Sequence, residues 1–185
     1  MILVPLSQPA PESREPPCRV TSVYGVGVEV ERKFVVSELP NLEAAQGDEI
    51  EQGYLAIGSE GEVRVRRKGD RLLLTAKRGA AGLSRQEAEI ELDRERFDRL
   101  WPLTEGRRLR KRRHVLPYEG LRVEIDVYEG DLEGLVVAEI EFPTEEEANE
   151  FEPPNWLGEE VTGDHRYLNE TLATAGVPSA RFLSH

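Results

Sequence analysis

A chain of 185 residues suits one compact domain, or one domain with a tail. Charged residues make up 32% and hydrophobic residues 38%, and the net charge of −12 argues against nucleic-acid coating and against docking on acidic membranes. The single cysteine, Cys18, excludes an internal disulfide framework and a cysteine-based zinc site. No apolar run approaches the ~20 residues of a membrane span. The N-terminus lacks a basic region followed by an apolar core, so no secretory signal is read and a cytoplasmic location is expected.

Residues 1–22 contain Pro5, Pro9, Pro11, Pro16 and Pro17 among Ser, Gln and Glu, a composition that cannot bury enough apolar surface to order itself. They are expected to form a flexible tail, with residues 23–185 as the domain. Alternation predicts a first strand from Gly25 to Val36. A connection with a short helix follows to about Gly47, then strands over Ile50–Ile57 and Glu62–Lys68. Gly69-Asp70 marks a tight hairpin turn, with Arg71–Arg78 returning as the partner strand. After a strand over Arg85–Leu92, Asp93 is a fitting N-cap for a helix carrying Phe97, Leu100 and Trp101 on one face. Leu109–Leu116 and Leu121–Tyr128 form a second hairpin across Pro117–Gly120, and Val136–Phe142 is the last strand. Thr144-Glu145-Glu146-Glu147 fits a capping box for a helix to about Phe151. Asp164 caps a final helix through Leu172, ended by Gly176 with Pro178 beyond. The expected class is α+β, predominantly antiparallel.

The strands share an unusual pattern. In Val28-Glu29-Val30-Glu31-Arg32-Lys33-Phe34 the charges Glu29, Glu31 and Lys33 fall on one face. The same alternation returns with Glu62, Arg64 and Arg66; with Lys77; with Arg85, Glu87 and Glu89; with Lys111 and Arg113; with Arg122, Glu124 and Asp126; and with Glu139 and Glu141. On one strand this describes a solvated face with cross-strand ion pairs. Repeated on six, with helices that need an apolar surface to pack on, it describes a sheet whose charged face lines an interior. A closed barrel of this strand number can enclose a ligand site. Buried charges of both signs are expensive unless they are paired or meet a ligand. Carboxylates at i, i+2 suit hard cations such as Mg²⁺ or Mn²⁺, and Arg and Lys at the same spacing suit phosphate oxygens. Together they imply a phosphate-rich ligand bound with its metal.

These residues resemble the CYTH superfamily, also called triphosphate tunnel metalloenzymes, over about residues 26–173. Glu29-Val30-Glu31-Arg32-Lys33 fits its ExExK motif, and Glu62-Val63-Arg64-Val65-Arg66 is similar to its RxR strand. Thr75-Ala76-Lys77 resembles the lysine strand, Arg85-Gln86-Glu87-Ala88-Glu89 the RxExE segment and Lys111-Arg112-Arg113 the KxR strand. Glu124-Ile125-Asp126 and Glu139-Ile140-Glu141 resemble the two acidic strands, and Asp164 to Asn169 the closing helix. The resemblance implies an eight-stranded closed tunnel barrel that hydrolyses or cyclises triphosphate-bearing substrates with Mg²⁺ or Mn²⁺. It implies Glu29, Glu31, Asp126, Glu139 and Glu141 as metal ligands. It implies Lys33, Arg64, Arg66, Lys77, Lys111, Arg113 and, at the tunnel mouth, Arg166 as substrate-binding residues, with Lys33 and Tyr54 as a catalytic pair.

The expected function is metal-dependent hydrolysis of inorganic tripolyphosphate, a small-molecule substrate, since the chain shows no insert for recognising a base or a thiazole. Thiamine triphosphatase, nucleoside triphosphatase and adenylate cyclase share the same tunnel residues and stay open. A non-catalytic polyphosphate-binding module would keep Arg64, Arg66 and Arg113 while losing the metal ligands. A nucleic-acid partner, suggested by the run from Arg107 to Arg113, is disfavoured because strand alternation divides that run between two faces. His114, His165 and His185 are too scattered for a transition-metal site, and Trp101 and Trp156 fit packing better than base stacking.

Overall fold

The computed structural model describes residues 20–23, 30–42, 45, 47–78 and 86–178. Ten strands form one antiparallel sheet: β1 (Val20–Val23), β2 (Val30–Val36), β3 (Gly47–Gly58), β4 (Gly61–Lys68), β5 (Arg71–Arg78), β6 (Gln86–Glu91), β7 (Arg108–Tyr118), β8 (Leu121–Glu129), β9 (Val136–Phe142) and β10 (Leu157–Glu160). Three short helices accompany them: α1 (Arg94–Leu100), α2 (Glu145–Glu150) and α3 (Asn169–Ala175).

The strand order is β1-β6-β5-β4-β3-β7-β8-β9-β2-β10. The eight strands anticipated from alternation occupy its centre as one contiguous set. The count of eight is corrected to ten, because β1 lies against β6 at one edge and β10 against β2 at the other. Among the described residues no ladder joins these two edges, so the order is that of a sheet with two ends rather than a closed barrel. β1 begins inside the stretch read as tail; residues 1–19, Cys18 among them, lie outside the described residues. β10 escaped the sequence reading because Pro153, Pro154 and Gly158 break any alternation around it. No helix forms over residues 37–42, where the chain bends at Ser37 and Glu38.

Local signals act where they were expected. Asp93 accepts from Arg96 N at 2.8 Å and caps α1, and Thr144 accepts from Glu147 N at 3.2 Å and caps α2. The β7–β8 hairpin is tighter than anticipated, since the strands run on to Tyr118 and Leu121. The two residues between them, Glu119 (φ 50°) and Gly120 (φ 83°), are both left-handed, as a two-residue turn matching strand twist requires. The final helix divides in two. Asp164 caps a 3-10 turn over His165–Tyr167, Leu168 returns to extended geometry, and α3 follows.

The apolar faces pack outward under the helices. Phe34, Val123, Ile125, Ala138, Ile140 and Phe142 are buried beneath Ala148 of α2 and Leu157 of β10. Val65 is buried with Leu92 and Phe97 beneath α1, where Phe97 stacks on Trp101 at 5.4 Å. Arg32 ties the first layer together: its guanidinium donates to the carbonyls of Ala148 and Phe151, both at 2.9 Å, and to Glu160 at 2.7 and 3.0 Å. A third cluster lies on the opposite, otherwise charged face. There α3 sets Leu172 against Leu109, Tyr128, Leu132, Leu135 and Val137 and covers one end of the charged face.

Leu172 is 2% exposed within that cluster. Leu172→Ala is expected to lower the unfolding free energy by about 2–5 kcal/mol in denaturant titration, the range for emptying a packed leucine site. A loss below about 0.5 kcal/mol, the scale of a surface change, would show that α3 is not held there.

Candidate functional site

The registers set which side chains share the charged face, because directly opposed residues point the same way. Lys33 opposes Glu139, and Glu31 opposes Glu141. Glu139 opposes Glu124. Asp126 opposes Arg113, and Tyr128 opposes Lys111. Lys111 opposes Ile50, whose strand carries Gln52 and Tyr54 on the same face against Arg66 and Arg64. Arg64 opposes Thr75 and Glu62 opposes Lys77, which faces Glu87, while Thr75 faces Glu89. One polar surface thus runs unbroken from β2 to β6.

The middle of that surface is buried, while Glu31 and Glu141 at one end are exposed. Lys33 and Arg64 are each 8% exposed, Lys111 3% and Asp126 0%. The elements packed on the sheet sit mostly on its other face, and α3 covers only one end. A flat, uncovered sheet would leave these charges in water, so their burial means that this face is covered or strongly curved around them.

Inside, the charges are paired with unequal completeness. Arg113 donates to Asp126 Oδ1 and Oδ2 at 2.7 and 2.6 Å, to Glu139 at 2.7 Å and to Glu124. Lys111 Nζ meets Asp126 Oδ2 at 2.6 Å, and Lys33 Nζ meets Glu139 Oε1 at 2.9 Å. On the other wall Lys77 pairs with Glu87 at 2.8 Å, Arg66 with Glu89 at 3.0 Å and Arg64 with Glu62 at 3.3 Å. The Nε atoms of Arg64 and Arg66 are nevertheless buried with no hydrogen-bond partner. A guanidinium has five donors and no acceptor, so these two N–H groups are open to an anion.

Burial alone would lower the Lys33 ammonium, but Glu139 beside it outweighs that and holds it above its ordinary value. Burial likewise works to raise Glu139, and Lys33, Lys111 and Arg113 overturn it, holding the carboxyl well below the usual range. Lys33 therefore stays a cation at neutral pH while Glu139 is its partner. Burial pushes the Tyr54 phenol well up, so it stays protonated; its hydroxyl accepts from Gln52 Nε2 at 2.8 Å. Burial raises Glu62 as well, with Arg64 opposing and Glu170 of α3 adding to the rise.

The structure thus gathers Lys33, Tyr54, Arg64, Arg66, Lys77, Lys111, Arg113, Glu31, Asp126, Glu139 and Glu141 on one face. Glu29 and Arg85 lie outside the described residues. Arg166 stands apart: its guanidinium is held by Asp164, with bonds at 3.0 Å, and lies 5.7 Å from the Tyr167 ring centre. Lys33 and Tyr54 take different partners, Glu139 and Gln52. Counting charges alone missed the neutral members Gln52, Thr75, Tyr128 and Asn169. For the first three the signal was available, since each falls on the inward parity of its strand.

The donors fit a hard divalent cation, since every candidate ligand is a carboxylate oxygen. Asp126 already meets three cationic N–H groups, and among the described residues no cluster of three or more carboxylate, His or Cys ligands is assembled. An ion would have to draw Glu139 and Asp126 away from those cations.

The profile of the CYTH domain family matches residues 27–174. The chain belongs to this family. Within it, the CYTH domain described here is 45% identical over 148 residues to an inorganic triphosphatase of Nitrosomonas europaea, covering 78% of this chain and 96% of that one. It is 41% identical to an inorganic triphosphatase of Acetivibrio thermocellus, covering 80% and 94%. A crystal structure of an inorganic triphosphatase, 40% identical, superposes with a TM-score of 0.67 over 82% of this chain and 97% of that one.

Burial lowers the Lys111 ammonium to about 8, with Asp126 acting against the fall. Its folded value lies below its unfolded one, so between about pH 8 and 10.4 the unfolded chain binds more protons and stability should rise with pH. Lys111→Arg stays charged throughout and should lose this rise. Equal pH slopes for the two proteins in urea titrations would contradict a buried, strained ammonium at this position.

Proposed function

We propose that this CYTH domain is a metal-dependent triphosphatase that hydrolyses inorganic tripolyphosphate to pyrophosphate and phosphate. The relatives named inorganic triphosphatase support the activity. The observation that carries the substrate chemistry is the pair of unpartnered, buried Nε–H groups of Arg64 and Arg66 in a lining already rich in cations. A ligand without acceptors would leave them unsatisfied, whereas a chain of phosphate oxygens meets them with charge-assisted bonds, stronger than those a neutral acceptor makes.

In this reading the eight central strands close around the substrate as a tunnel. Arg64, Arg66, Lys77, Lys111 and Arg113 hold the triphosphate oxygens, with Arg166 outside the main group. Lys33, fixed as a cation by Glu139, neutralises charge where it develops on the phosphoryl group, and Tyr54 offers a protonated hydroxyl beside Arg64. Glu31, Glu139 and Glu141, with Glu29 and Asp126, would hold Mg²⁺ or Mn²⁺. When bound, the ion supplies charge neutralisation on the phosphoryl oxygens and a site for ordering water. In the reaction a bond forms from water oxygen to the terminal phosphorus, and the bridging P–O bond breaks with pyrophosphate leaving. The chain's own part is positioning and charge stabilisation, as phosphoryl transfer demands.

The reading is of a cytoplasmic enzyme acting on a small molecule, without nucleic-acid or membrane partners; no helix among the described residues is long and apolar enough to cross a membrane.

Protein supplied with Mg²⁺ or Mn²⁺ should release phosphate from tripolyphosphate in preference to ATP and thiamine triphosphate, and form no cyclic AMP. Arg64→Ala is expected to lower kcat/KM by about 10- to 100-fold, the loss of one charged hydrogen-bonding partner. Glu31→Gln with Glu141→Gln should abolish turnover and weaken metal binding measured separately by titration. Turnover of ATP or thiamine triphosphate exceeding that of tripolyphosphate would reassign the substrate. Binding of all three without turnover would leave a polyphosphate-binding module.

A further inference from the structure

On the triphosphatase reading just given, we propose that Asn169, the first residue of α3, is a positioning residue that acts through Lys111. Its Oδ1 accepts from Lys111 Nζ at 3.1 Å and from Tyr128 Oη at 2.8 Å. An ammonium has donors only, so the amide atom facing Lys111 must be the oxygen, and the orientation of the Asn169 side chain is fixed. The ammonium lies between three walls: Asp126 Oδ2 at 2.6 Å, Asn169 Oδ1, and the Tyr128 ring, whose centre is 5.3 Å away.

A lysine ammonium carries three N–H donors on a flexible stem and can satisfy one partner in many rotations. Here two acceptors on different elements, β8 and α3, take two of the three donors and stop that rotation. One donor is left, and its direction is set by the other two. That remaining N–H is the one a phosphate oxygen can use, so Asn169 decides how Lys111 meets the substrate without touching it.

The placement of α3 makes this contact dependable. Leu172, three residues on, is buried against Leu109, Tyr128 and Val137, so the helix is anchored on the strands that carry Lys111 and Asp126. Tyr128 is shared: its ring packs against Leu172 and its hydroxyl holds the Asn169 amide. The apolar cluster and the lysine's hydrogen bonds are therefore one assembly.

The test is a double-mutant cycle on tripolyphosphate hydrolysis by the full chain, using Asn169→Ala, Lys111→Ala and both together. Asn169→Ala is expected to lower kcat/KM about tenfold alone and less than about twofold in the Lys111→Ala background, because a residue acting through another is silent once that partner is gone. Equal losses in the two backgrounds would overturn the proposal, since a structural role adds independently of Lys111. Should Asn169→Ala fail to fold, Tyr128→Phe takes its place. It removes only the hydroxyl that pins Oδ1, and is expected to show a smaller loss of about two- to fivefold that also vanishes in the Lys111→Ala background; a loss that persists there overturns the proposal. If the unmutated chain turns over no tripolyphosphate, the triphosphatase reading itself falls, and the positioning role with it.

Discussion

Taking a charged side chain out of water costs several kcal/mol unless other charges or a ligand compensate, and this fold buries five such residues, Lys33, Glu62, Arg64, Lys111 and Asp126, on one face of a sheet. Everything else in the structure follows from meeting that cost. The apolar residues are displaced to the outer face, where α1, α2 and β10 cover them. On the polar face, carboxylates and cations of the same or nearby strands neutralise one another. Where the helix α3 covers one end, the lining changes to Leu109, Tyr128 and Val137.

The neutralisation is uneven, and the unevenness has a direction. On β7, β8 and β9 nearly every charge is met: Arg113 alone engages three carboxylates. On β4, Arg64 and Arg66 each have one carboxylate partner and keep a buried Nε–H open. A lining built only for stability would do better with apolar side chains of similar volume, because buried pairs seldom repay their desolvation. One wall holds its carboxylates in readiness behind cations, while the other holds open donors. That division suits a ligand that brings negative charge to the arginines and, with a metal, offers the carboxylates a different partner.

Much of this was legible in the sequence because strand alternation has a period of two, and a charge at every second position is hard to overlook. Asp93, Thr144 and Gly69-Asp70 marked their caps and turn through local chemistry that needs no tertiary context. What stayed hidden depended on long-range packing. β10 exists only because β2 offers it an edge. The break at Leu168 follows from seating α3 on the end of the charged face, which no pattern within residues 164–172 encodes. Gln52 was missed because only charges were followed along the inward parity of its strand, and Asn169 because a helix residue has no strand parity to read, although each ends up fixing the hydroxyl or ammonium of a site residue. The family resemblance implied Asp126 as a metal ligand, and the structure adds that it also anchors Lys111 and Arg113.

The central claim is that the buried polar face is an anion site whose open donors are those of Arg64 and Arg66. Isothermal titration of the full chain with tripolyphosphate in the presence of a metal chelator tests it most directly, because it separates binding from turnover. The account predicts saturable binding at one site per chain, weakened at least about tenfold by Arg64→Ala or Arg66→Ala. Binding unchanged in both variants, or no binding at all, would contradict it.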